Sequence, residues 1–207
     1  MMLALSGAGG LGGIVLLCAF LQISSRRLTS MVQVVRISAL ALAVLALWRG
    51  LEWHEWVLCG SAVLILMAQA VVLPWAVRLL CSRFDPPSAG GGLMPVPVAM
   101  PIGLGIVALA MASLAPALKT NPNMVMAFAV LLLGVWSMLM QTGLLARIIG
   151  FVTLENGLIL ALITTPGLAL ATLIVISAMG GLTAALLFLA GQWYRVSLRH
   201  EADGGAP

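Results

Sequence analysis

Residues 124–195 read "MVMAFAVLLLGVWSMLMQTGLLARIIGFVTLENGLILALITTPGLALATLIVISAMGGLTAALLFLAGQWYR". Three apolar runs are divided by two short turns, "TGLLA" and "TTPG", and the only charges are Arg147, Glu155 and the closing Arg195. Crossing the hydrocarbon of a bilayer takes about 20 mostly apolar residues, and each run is about that long. A stretch this poor in charge offers no polar face to water, so it is read as membrane-spanning helices.

The rest of the chain agrees. Of its 207 residues 62% are hydrophobic and 8% charged, with a mean hydropathy of +1.17, whereas soluble domains carry about 25% charged residues. The fold expected is all-α, a polytopic transmembrane helix bundle of seven spans, at 7–24, 31–49, 56–80, 95–118, 123–143, 146–164 and 168–192. The connectors carry turn residues, as in "SSRRLTS", "CSRFDPPSAGGG" and "LKTNPN". In span four, Pro95, Pro97, Pro101 and Pro116 predict an irregular start and a kinked exit. The organisation expected is a four-helix segment over 1–118, a three-helix segment over 119–195 and a polar tail over 196–207.

Seven spans place the termini on opposite faces. Arg26, Arg27, Arg78, Arg83, Arg147, Arg195 and Arg199 fall on the C-terminal side and Arg36 near it, against Arg49 and Lys119 on the other. That positive-inside bias predicts a cytoplasmic C-terminus and an outer N-terminus. The net charge of +4 is thus a topology signal, without the interleaved aromatics of a nucleic-acid surface. The first apolar run has no basic region before it and an arginine pair after it, so it is expected to be a retained span and not a cleaved leader.

Several motifs have bland readings that suffice. "GAGGLG" (Gly7 to Gly12) matches a dinucleotide fingerprint only in letters, because that site needs a preceding strand and a soluble βαβ unit. Small residues for close helix packing account for it. "EWHEW" places His54 between Glu52 and Glu55 in a turn at the outer interface, without further ligands to complete a metal site. Cys18, Cys59 and Cys81 have neither C-x-x-C spacing nor histidine partners, so no cluster, zinc site or disulfide framework is encoded. Gln22, Gln33, Gln69 and Gln141 are expected to bond neighbouring helices, with Gln69, near the centre of span three, the candidate for a further role.

Glu155 is the exception. It is the only acid between Asp85 and Glu201, and it falls near the bilayer midplane, where a carboxyl group costs on the order of 2–3 kcal/mol on insertion scales. Its helical neighbours Phe151, Val152, Leu158 and Ile159 offer it nothing. Arg147 lies about 12 Å away along the axis, too far for an ion pair but within reach of a water-bridged path. An intramembrane acid able to gain and lose a proton is the material of proton relays. The alternative is a buried acid hydrogen-bonded to another span and serving only structure.

The 124–195 stretch resembles the three-helix K subunit of respiratory complex I: a basic turn with Arg147, then Gly150, Glu155 and Asn156 in one helix. The whole chain, with four spans in front and the "SSRRL" exit of the first, is similar to component E of hydrogenase-4, a membrane subunit of formate hydrogenlyase-type hydrogenases. The resemblance implies a non-catalytic subunit of a proton-translocating complex in a bacterial inner membrane. It would pack between antiporter-like subunits and the membrane anchor of the redox arm. Glu155 would stand on the proton path with Arg147, Asn156 and Gln69 in support. Nickel–iron and iron–sulfur groups would belong to partner chains, and this chain would hold no cofactor. Two departures limit the likeness. Val152 takes the position of the K subunit's first glutamate, one turn from Glu155, and no acid occurs near Met179 to Gly181 where the second belongs. An accessory subunit of a cation/proton antiporter and a purely structural scaffold are the alternatives. A self-standing transporter is disfavoured by the lack of an internal repeat.

Overall fold

In the computed structural model the backbone is described for residues 2–25, 27–84, 95–115 and 121–204, and side chains for 10–25, 27–82, 95–115 and 121–196. All of the regular structure among the described residues is helical. The helices are α1 (Met2–Ser24), α2 (Leu28–Trp53), α3 (Trp56–Ile65), a π-helical segment (Leu66–Val72), α4 (Leu73–Phe84), α5 (Val96–Ser113), α6 (Pro122–Met140), α7 (Leu144–Ile163) and α8 (Ala169–Gly204). α3, the π segment and α4 are joined without a break, so the stretch read as span three is one continuous rod.

Six of these helical stretches are long and apolar enough to cross a membrane: α2, the α3–π–α4 rod, α5, α6, α7 and α8 up to Val196. Helices suit this environment because each satisfies its own backbone hydrogen bonds. α1 runs straight through the "GAGGLG" run, without the strand and tight turn that a dinucleotide fingerprint needs. Pro97 and Pro122 stand in the first turns of α5 and α6, where their missing N–H costs nothing. α5 continues through Pro101, while the exit expected to kink at Pro116 lies outside the described residues. So do the side chains of Arg26, Arg83, Lys119 and Arg199. α8 continues helically from its apolar part to Gly204.

The turns obey local chemistry. α2 stops at His54, whose φ of 58° puts it in the left-handed region, and the Glu55 N–H donates back to the Gly50 carbonyl at 2.9 Å. Beside this turn Arg49 pairs with Glu52 at 2.8 Å and lies 5.2 Å from the centre of the Trp53 ring. The α7–α8 turn uses Gly167 at φ 81°, a conformation that glycine adopts without a steric penalty.

α6 and α7 are the most extensively packed pair in the bundle. Three glycines allow it: a Cβ on Gly150 would stand 2.9 Å from the Met138 backbone nitrogen, and one on Gly157 would stand 2.7 Å from that of Leu131. Gly134 meets the Leu154 backbone in the same way. Small residues at such contacts let membrane helices approach backbone to backbone.

The interior is divided into two apolar clusters. The first contains Ala39 and Leu42 of α2, Ile65 of α3, Val130 and Leu133 of α6, and Ile159 of α7. The second contains Met31 and Val35 of α2, Leu73 of α4, Ile149 and Val152 of α7, and Leu187 of α8. Between them comes a layer of polar side chains, drawn from α1, α2, the rod, α7 and α8.

Candidate functional site

The layer is built around α7. Leaving the second cluster after Val152, α7 presents Thr153, Glu155 and Asn156, all buried, before rejoining the first cluster at Ile159. At helical spacing Thr153 and Asn156 lie on one side of α7 and Glu155 points away from both, so a single helix serves neighbours on two sides. Glu155 is the twelfth residue of α7, roughly 17 Å from its start.

Glu155 faces the α3–π–α4 rod and α8. Thr183 of α8 donates its hydroxyl to Glu155 Oε2 at 3.2 Å, and Gln69 of the rod lines the same pocket as the carboxyl group. Glu155 is 2% exposed and Gln69 4%. All three residues line a pocket of about 130 Å³, whose other lining groups are apolar, among them Val72, Val152 and Leu187. Several waters fit in such a volume.

Gln69 is the one buried residue of the π-helical segment. A π turn inserts an extra residue into the helical repeat and rotates the residues beyond it, and such turns recur at functional sites. Here the π turn carries an amide into the cavity. Its chemistry suits an acid in either protonation state, since the NH₂ group donates to a carboxylate and the carbonyl accepts from a carboxylic acid. Gln69 Oε1 is buried with no hydrogen-bond partner, so it is available as that acceptor.

On the other faces of α7 the layer is tied to α1 and α2. Gln22 Nε2 donates to the Ile149 carbonyl at 3.0 Å, and the Thr153 hydroxyl donates to Gln22 Oε1. Asn156 Nδ2 donates to Ser38 Oγ at 3.0 Å, and Ser38 donates on to the Val35 carbonyl at 2.8 Å. Asn156 Oδ1 is a second buried acceptor with no partner.

Of the residues singled out from sequence, Glu155 and Gln69 are therefore brought together. Asn156 shares the depth of Glu155 but faces α2. Arg147 does neither: it is exposed, and its Nε donates to the Gln141 carbonyl at 2.8 Å, tying off the end of α6. Its Nε hydrogen bond is thus made to the α6–α7 turn and not to the acid. Thr183, Gln22, Thr153 and Ser38 complete the layer, and of these only Gln22 stood out in the sequence. No three His, Cys, Asp or Glu side chains among the described residues come together as metal ligands. No family model, curated protein or solved structure matches the chain.

Proposed function

We propose that this chain is a non-catalytic integral membrane subunit of a complex I-related, proton-translocating oxidoreductase, a membrane-bound hydrogenase of a bacterial inner membrane. In this reading α1 is the seventh span, the N-terminus is outside and the C-terminus cytoplasmic. Antiporter-like and membrane-anchor subunits flank it, and nickel–iron and iron–sulfur groups sit in partner chains. The carrying observation is the buried Glu155 carboxyl group on a pocket of about 130 Å³ that it shares with Gln69 and Thr183. The likeness of Arg147, Gly150, Glu155 and Asn156 to the K-subunit pattern supports the complex I-related class.

The chemistry is proton exchange without bond-making elsewhere. The carboxyl group takes a proton from water in the cavity and returns it to water, while Thr183 and Gln69 satisfy its oxygens in both states. With no second acid on α8 at the family position, Glu155 acts as one station on a path that continues in neighbouring subunits.

The test is Glu155→Gln in the intact complex reconstituted in liposomes, since glutamine keeps shape and hydrogen bonding but cannot ionise. The expected result is loss of proton translocation with the complex still assembled. Full translocation by this variant would make the acid structural, a reading favoured only by the Thr183 hydrogen bond. Mild-detergent purification separates the remaining classes: a nickel–iron partner supports the hydrogenase, and antiporter-like chains alone would place the protein in an antiporter complex.

A further inference from the structure

We propose that the pocket between α2 and α4 binds the headgroup of an anionic phospholipid. This pocket, of about 170 Å³, is lined on one side by Thr29, Gln33 and Arg36 and on the other by Pro74, Val77 and Arg78. It lies on a different face from the Glu155 cavity, and the inference is independent of the proton-path reading.

Charge is the first ground. Arg36 and Arg78 both line this cavity, and among the described residues neither is paired with an acid, the ion pair found there being Arg49–Glu52. Two cations on the lining of one cavity favour a bound anion over a neutral molecule. Guanidinium groups match phosphate with paired, charge-assisted hydrogen bonds, and Thr29 and Gln33 add neutral donors. Thr29, Gln33 and Arg36 keep the i, i+4, i+7 rhythm of a single helix face. Arg36 stands about 12 Å inside the start of α2, so its head group must reach back toward the membrane surface.

Amphipathy is the second ground, and it selects a lipid over a soluble anion. Beyond Arg36 the same face of α2 continues with exposed Leu40 and Val44. α4 and the π segment run the opposite way, so inward from Arg78 come exposed Trp75 and Val71. Two parallel apolar tracks thus lead from the cationic pocket toward the middle of the membrane, as a headgroup with acyl chains below it requires. Basic pockets between transmembrane helices hold anionic lipid headgroups in this manner.

The experiment is native mass spectrometry of the full chain, delipidated in detergent and titrated with phosphatidylglycerol or phosphatidylcholine of identical acyl chains. Phosphatidylglycerol is expected to bind about tenfold more tightly or better. Arg36→Gln combined with Arg78→Gln is expected to erase the preference, the corresponding lysine pair to keep most of it, and Arg195→Gln, on a different cavity, to leave it intact. Should the double glutamine variant misfold, each single variant carries the test with a partial loss. Equal binding of the two lipids, or a preference unchanged in the glutamine variants, overturns the proposal. Inorganic phosphate that displaces phosphatidylglycerol at equal concentration would reassign the pocket to a soluble anion. An acidic protein chain retained only by the wild-type arginines would reassign it to a partner subunit.

Discussion

Replacing Gly157 by alanine tests whether the α6–α7 contact holds Glu155 in place. The added Cβ would stand 2.7 Å from the Leu131 backbone nitrogen and 2.9 Å from Leu131 Cγ. Favourable contact needs about 3.5 Å, so the helices must part by roughly 0.8 Å. Because the obstacle includes backbone, no rotamer change relieves it. A gap of about that size forfeits a quarter to a half of the dispersion energy of the atoms it separates, and overpacked sites cost about 1–3 kcal/mol. Alanine returns about 0.5–1 kcal/mol through its better helix propensity. At mid-range the overpacking wins, and the expected net loss is about 1 kcal/mol, within limits of about 0–2.5 kcal/mol. Gly181 on α8 is the control, since a Cβ there meets nothing within 4 Å; Gly181→Ala is expected to be neutral or slightly stabilising. Unfolding of the purified protein in rising sodium dodecyl sulfate, monitored by tryptophan fluorescence with Trp136 on α6 as a local reporter, measures both. A Gly157→Ala variant as stable as Gly181→Ala would refute the backbone-to-backbone packing described for this helix pair.

The polar layer carries three other expected outcomes. Ser38→Ala removes the acceptor of the Asn156 amide; the expected loss is about 1 kcal/mol, and a double-mutant cycle with Asn156→Leu is expected to give a coupling of about 0.6 kcal/mol. A coupling near zero would mean the two groups do not meet. Thr183→Val keeps the shape of the side chain while deleting its donor to Glu155, and is expected to weaken proton translocation without abolishing it. Loss as complete as in Glu155→Gln would make the threonine itself part of the path. Arg147→Gln is expected to leave translocation essentially unchanged and to loosen the α6–α7 turn, seen as faster hydrogen exchange at Gln141 to Gly143, because its bond is to the Gln141 carbonyl. A translocation defect without such loosening would restore Arg147 to the proton path.

The spans were legible because they are local facts. Whether 20 residues cross a membrane depends on their length and their own transfer cost, and a helix satisfies its backbone within itself. That is why α2, the α3–π–α4 rod, α6 and α7 coincide with the sequence reading to within a few residues. Glu155 was legible for the same reason: an acid at that depth is costly whatever it faces. Gln69 stood out by its polarity and depth.

The partners of Glu155 were not legible, and the reason is geometric. Thr183 belongs to a class of hydroxyls that usually bond their own helix, as Thr164, Thr172 and Ser177 do here, so nothing in its neighbourhood sets it apart. Which of these hydroxyls turns to another helix is decided by how the helices rotate against one another. Gln69 lies on the pocket of the acid within a π turn, a local change of helical repeat that a reading at regular helical spacing does not anticipate. Arg147 shows the converse, a charge near the right helix whose side chain is claimed by a carbonyl of the turn. The sequence by itself determined a membrane helix bundle and the presence of one costly acid in it, because burial in lipid is a property of each segment alone. The tertiary structure decided what that acid touches, because contacts between helices depend on glycine-permitted approach and helix rotation, which no single segment encodes.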